Sequence, residues 1–168
     1  MAENTTNEME VEMTKEEKRA MTRMYEDDIL SGLLAAAAFR TSDESLVNIE
    51  IARKGVTLFS FRIHPLSEQE YLDCKKRNTK YKKNKALGTR IADSVDAARY
   101  RAELIYISTV DEDREKLWDN QKAWRQLNVL NGIDLIETVL MAGEKDEVLT
   151  KLDEISGYEQ TLEDTAKN

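Results

Sequence analysis

Few residues in this 168-residue chain could do covalent chemistry, and they are scattered. His64 is the only histidine and Cys74 the only cysteine. A nucleophile needs a base within hydrogen-bond reach and a third group to orient that base; nothing in the sequence supplies the third group here. The chain has no glycine-rich phosphate loop, no Cys-x-x-Cys and no pair of histidines at zinc spacing. No catalytic, cofactor-binding or metal-ligating residue is assigned, and no cofactor is expected. Asp111-Glu112-Asp113 is acidic enough for a metal, but Arg114, Glu115 and Lys116 follow it where a calcium loop needs glycine and a later glutamate. A helix cap is the expected role. A single cysteine excludes an internal disulfide framework and suits a reducing cytoplasm.

What remains is chemistry of contact. Lys75 to Arg90 contains eight lysines or arginines and no acid, with Tyr81 among them. Its plainest reading is a solvated loop that balances the acidic ends. An acidic protein partner would use Lys80, Tyr81, Lys82, Lys83 and Lys85, and nucleic acid is a weaker third reading, because one aromatic and no recognisable module accompany the charge. A net charge of −8 and a pI near 4.9 repel nucleic acid and anionic membranes on average. The second contact surface is the apolar run Ile29 to Phe39, about half the roughly 20 residues that span a bilayer. Glu26, Asp27 and Asp28 precede it where a signal peptide would carry lysine or arginine, so the protein is expected to stay inside the cell that makes it. Burial in a core is the favoured fate of this run; an exposed docking face that includes Leu33, Leu34 and Phe39 is the alternative. Met9, Met13, Met21 and Met24 are read as core filling before they are read as an adaptable surface.

These residues need elements to position them. A composition of 40% hydrophobic and 35% charged residues suits one core with loose ends. The expected organisation is a disordered acidic tail over 1–13, a helical arm over 14–40, a domain over 46–158 and a second disordered tail over 159–168. Thr14 and Glu17 form a capping box that starts the arm's helix. Val47, Ile49 and Ile51, then Phe59, Phe61 and Ile63, alternate with polar residues around Lys54-Gly55, which predicts a β-hairpin with one apolar face. Ser67 and Glu70 cap the next helix, with Leu66 stapled to Tyr71. From Ser94 the spacing of Ala97, Tyr100, Leu104 and Ile107 predicts the central core helix. Trp118 and Trp124 are expected as anchors beneath a terminal helical hairpin over Asn131 to Gly157. Gly143 breaks that hairpin, Gly157 closes it, and Tyr158 folds back towards Leu152. The fold class is α+β, predominantly α-helical: a small antiparallel β-hairpin packed on a helical bundle that ends in a helical hairpin.

In this order the β-hairpin, the Ser67-Glu68-Gln69-Glu70-Tyr71 helix start, the basic loop, Tyr100-Arg101-Ala102-Glu103-Leu104-Ile105, the Trp118 connector, Leu140-Met141-Ala142-Gly143-Glu144 and Ile155-Ser156-Gly157-Tyr158 resemble the XkdN-like tail assembly chaperones of long-tailed bacteriophages. The resemblance covers roughly Leu46 to Tyr158, and the helical arm departs from it. It implies a non-enzymatic protein of the host bacterial cytoplasm. Such a protein coats the tape measure protein, keeps it soluble, helps recruit tail tube protein, and leaves before the virion matures. It also implies a frameshifted longer form of the same chain as a partner; self-association into a homo-oligomer is compatible with it. A virion structural or tail-completion protein and a nucleic-acid-binding regulator are the competing classes.

Overall fold

The structure, a computed structural model, describes residues 14–158. The tails expected over 1–13 and 159–168 lie outside the described residues. The chain divides into two units, one ending at Phe39 and the other beginning at Arg40.

The first unit is helix α1 (Lys15–Phe39). Its start follows the sequence: the Thr14 N–H donates to Glu17 Oε2 at 2.7 Å, and the Glu17 N–H donates to Thr14 Oγ1 at 3.2 Å. Its end corrects the sequence reading, because no residue of α1 is buried. Leu33 and Leu34 are 64% and 63% exposed, and Ile29, Leu30 and Phe39 are about half exposed. One helix taken by itself has no second layer against which to bury its apolar stripe.

The second unit begins with a 3₁₀ turn over Asp43–Ser45 and the hairpin β1 (Val47–Arg53) and β2 (Val56–Ile63). The strands are antiparallel, with Val47 opposite Ile63, Ile49 opposite Phe61 and Ile51 opposite Phe59. Lys54 and Gly55 both take positive φ, 51° and 78°, as a two-residue turn matched to the strand twist requires. Ile49, Ile51, Phe61 and Ile63 are buried. Burial of each side chain of this size stabilises by about 1.5–3 kcal/mol relative to exposure. The predicted apolar face therefore forms as expected.

Helix α2 (Glu68–Arg77) carries the predicted capping box, with the Glu70 N–H on Ser67 Oγ at 3.2 Å and the Ser67 N–H on Glu70 Oε2 at 2.7 Å. The basic stretch after it is not the expected loop. It forms a second antiparallel hairpin, β3 (Thr79–Lys83) and β4 (Arg90–Val95). Consequently α3 (Ala97–Ser108) starts after Val95 rather than at Ser94, and Asp96 caps it by accepting from the Arg99 N–H at 3.2 Å. Helix α3 packs on α2 and on the last two helices, with Ala102, Leu104 and Ile105 buried. It is the central helix the spacing predicted.

Three short helices and a longer one complete the unit: α4 (Asp111–Lys116), α5 (Gln121–Leu127), α6 (Gly132–Val139) and α7 (Ala142–Ile155). With seven α-helices and two two-stranded sheets among the described residues, the fold is α+β and mainly helical. Trp118 is buried, its indole N–H on Thr109 Oγ1 at 3.0 Å and its ring edge-on to Phe61 at 5.3 Å and to Phe59 at 5.9 Å. Half-buried Trp124 donates from its indole to Trp118 O at 2.7 Å. Gly132, the first residue of α6, passes so close that a Cβ there would meet Trp118 O at 2.9 Å and the Tyr106 ring at 2.6 Å.

One detail of the helical hairpin differs from the sequence reading. The break falls at Leu140 and Met141, and Gly143 lies in the first turn of α7. Glu144 sets that start: it accepts from the Met141 N–H at 2.8 Å and takes both Arg53 Nε and Nη2 at 2.7 Å. Arg53 Nη2 also donates to Val139 O at 2.7 Å, which closes the last turn of α6. Gly157 ends α7 with φ 91° as predicted. The Tyr158 N–H folds back to Asp153 O at 2.9 Å, and the Tyr158 ring packs edge-on against Tyr71 at 5.4 Å.

Candidate partner-binding surfaces

The groups able to do covalent chemistry are held apart from one another or tied up. Cys74 is buried, its Sγ 3.8 Å from Tyr100 O, and burial pushes the thiol up to about 12. A thiol that keeps its proton is neither nucleophile nor metal ligand at neutral pH. His64 places Nδ1 2.9 Å from Pro65 O, and no hydrogen bond joins it to Cys74 among the described residues. The acidic triplet opens α4, where unpaired backbone N–H groups favour negative charge. Its carboxylates are spent on bases: Asp113 accepts both the backbone N–H and the guanidinium of Arg62, Glu112 pairs with Arg62 and Lys116, and Asp111 pairs with Arg114. These hydrogen bonds from Arg62 hold the Asp113 carboxyl below its ordinary value. Among the described residues no group of three or more His, Cys, Asp or Glu could hold a metal.

An apolar depression of about 210 Å³ opens beside Trp118, lined by Phe59, Leu117, Ala123, Leu127, Leu135 and Val139. It is small beside the ~300–1,000 Å³ of ordinary ligand sites.

Two surfaces remain, and they carry the residues singled out in the sequence. The first is the carboxyl-terminal half of α1, where Leu33, Leu34 and Phe39 are exposed together with Ile29 and Leu30. Large apolar side chains left exposed on one helix make it a candidate for contact with a partner.

The second surface is β3–β4. Lys80, Tyr81, Lys82 and Lys83 lie on β3 and Lys85 in the connecting loop, all exposed. Lys82 pairs with Asp93 at 3.0 Å; Lys80, Lys83, Lys85 and Arg90 make no ion pair among the described residues. Sequence reasoning found these lysines but missed β4, which adds Arg90 opposite Lys83 and Ala92 opposite Tyr81. Leu87 and Ile91 are exposed here too. Only the root of the hairpin is fixed. Asn78 is buried, donates to Cys74 O at 2.8 Å and to the buried Glu103 carboxylate, and accepts from the Asp96 N–H at 2.9 Å. Arg77 Nε reaches the same carboxylate at 2.5 Å. The arrangement suits reversible binding: a rigid stem that presents cations and an aromatic ring to solvent.

A family model described as phage XkdN-like tail assembly chaperone protein matches residues 30–168. That span takes in the apolar end of α1, which lay outside the resemblance read from the sequence. A crystal structure of the protein yqbn shares 16% identity at a TM-score of 0.42, with 68% of this chain and 87% of that chain covered. No curated protein matches. Among the described residues no helix is long and apolar enough to cross a membrane.

Proposed function

The chain belongs to the phage XkdN-like tail assembly chaperones, and on that premise we propose that it binds the tape measure protein through the apolar end of α1. In this reading it keeps that long helical client soluble in the host cytoplasm, helps the tail tube assemble, and is absent from the mature virion. The observation that carries the reading is the exposure of Ile29, Leu30, Leu33 and Leu34 on one helix. Leu30, Leu33 and Leu34 also fall within the family match. An amphipathic client helix packs against such a stripe through its own residues at three- and four-residue spacing, with no covalent step. Lys80, Tyr81, Lys82, Lys83 and Lys85 offer a second contact to acidic positions on the client or on tail tube protein. A frameshifted longer form of the chain would carry both surfaces.

Co-expression with the tape measure protein tests this. The client is expected in the soluble fraction with the wild type and in the pellet with Leu33→Asp/Leu34→Asp. Because these side chains are exposed, the variant should keep wild-type circular dichroism and melting. A client that precipitates equally with and without the protein sinks the proposal. Recovery of the protein from purified virions would instead favour a structural or tail-completion role.

A further inference from the structure

Glu26, Asp27 and Asp28 have no ionic partner among the described residues and lead straight into Ile29 and Leu30. On the helix Glu26, Leu30 and Leu33 share a face, with about 6 Å along the axis from Glu26 to Leu30. On the second hairpin Tyr81 lies opposite Ala92, and Lys83 lies opposite Arg90. Alternation places both pairs on one face, about 7 Å apart along the strand. An acid followed by aliphatic side chains thus meets its match in a pair of bases followed by an aromatic ring, at the same spacing.

We propose that α1 of one molecule packs on the β3–β4 face of a second copy, with Leu30 and Leu33 on Tyr81 and Ala92 and with Glu26 between Lys83 and Arg90. Each side gains what it lacks. A lone two-stranded hairpin is marginal in water until a helix packs on it. Like charges directly opposite each other weaken a strand pair, and a carboxylate set between Lys83 and Arg90 removes that cost. The apolar stripe of α1 leaves water. The two faces differ, so the contact is heterologous and propagates from copy to copy as a ring or an open chain, not as a two-fold dimer. The inference goes beyond client binding, since it needs no client, and a client helix would compete for the same stripe.

Sedimentation velocity of the full chain tests it, over roughly 5–200 μM protein and in about 50 and 500 mM salt. Species larger than a dimer are expected at low salt and high concentration, and the added salt should weaken association by about 10-fold or more. Lys83→Glu/Arg90→Glu and Glu26→Lys/Asp27→Lys should each be monomeric with unchanged circular dichroism, and mixing the two should restore association. If either reversal disturbs the fold, Lys83→Gln/Arg90→Gln is the substitute and should also weaken association. A wild type that stays monomeric throughout overturns the proposal. So does association that survives the hairpin reversal, stops at two copies, or is not restored by mixing.

Discussion

The two β-hairpins of this protein are built alike and used differently. Each is a pair of antiparallel strands with one register irregularity. In the first, one face is buried under Trp118 and both ends are tied, the open end to α4 through Arg62 and the turn end to the α6–α7 junction through Arg53. In the second, every strand residue except the half-buried Thr79 is exposed, and only the root is tied down. A motif marginal on its own becomes framework where a core supports it. Where its stem alone is fixed, it is left available for contact. The difference lies in side-chain alternation, not in backbone pairing.

That contrast can be broken in three ways, taken from the largest effect down. Phe61→Ala, in the first hairpin, should cost about 3–5 kcal/mol of unfolding free energy, whereas Tyr81→Ala, in the second, should change it by less than about 0.5 kcal/mol. Urea denaturation of both variants measures this, and equal costs would erase the distinction. Acid comes next. The Asp113 carboxyl is held below its ordinary value of 3.8, chiefly by the Arg62 side chain. Its contribution is therefore complete above that ordinary value and lost as pH falls through the lower folded one. The melting midpoint of the wild type should drop more steeply than that of Asp113→Asn between about pH 5 and 2. The smallest effect concerns the like-charged pair of the second hairpin: at protein concentrations too low for association, Lys83→Glu, opposite Arg90, should raise the melting midpoint by roughly 1–3 °C in dilute salt. No rise would mean that the two cations do not sense each other.

The first hairpin was legible in the sequence because Val47, Ile49, Ile51, Phe59, Phe61 and Ile63 alternate cleanly with polar residues around a Lys-Gly turn. The second was not, because Thr79 to Lys83 reads as a charge run: with no face to bury, its strands carry no hydrophobic alternation. The caps at Thr14, Ser67 and Gly157 were readable because each is a local hydrogen-bond or backbone device. The junction between α6 and α7 was misplaced onto Gly143 because the residue that sets it, Glu144, answers to Arg53, remote in sequence. The apolar end of α1 was recognised as a contact candidate, but its exposure was not. The same leucines suit a core and a docking stripe, and periodicity alone does not separate the two.

The Arg53 clasp has a bearing on how such a gene can be varied. One guanidinium fastens the tip of β1 to a helix junction 86 to 91 residues further along the chain. A ribosome that slipped before Glu144 would release a chain whose first hairpin has lost its tie. One that slipped after Tyr158 could append any tail to a domain already locked. Where translation changes frame would then decide between a misassembled fragment and an intact head with a new extension.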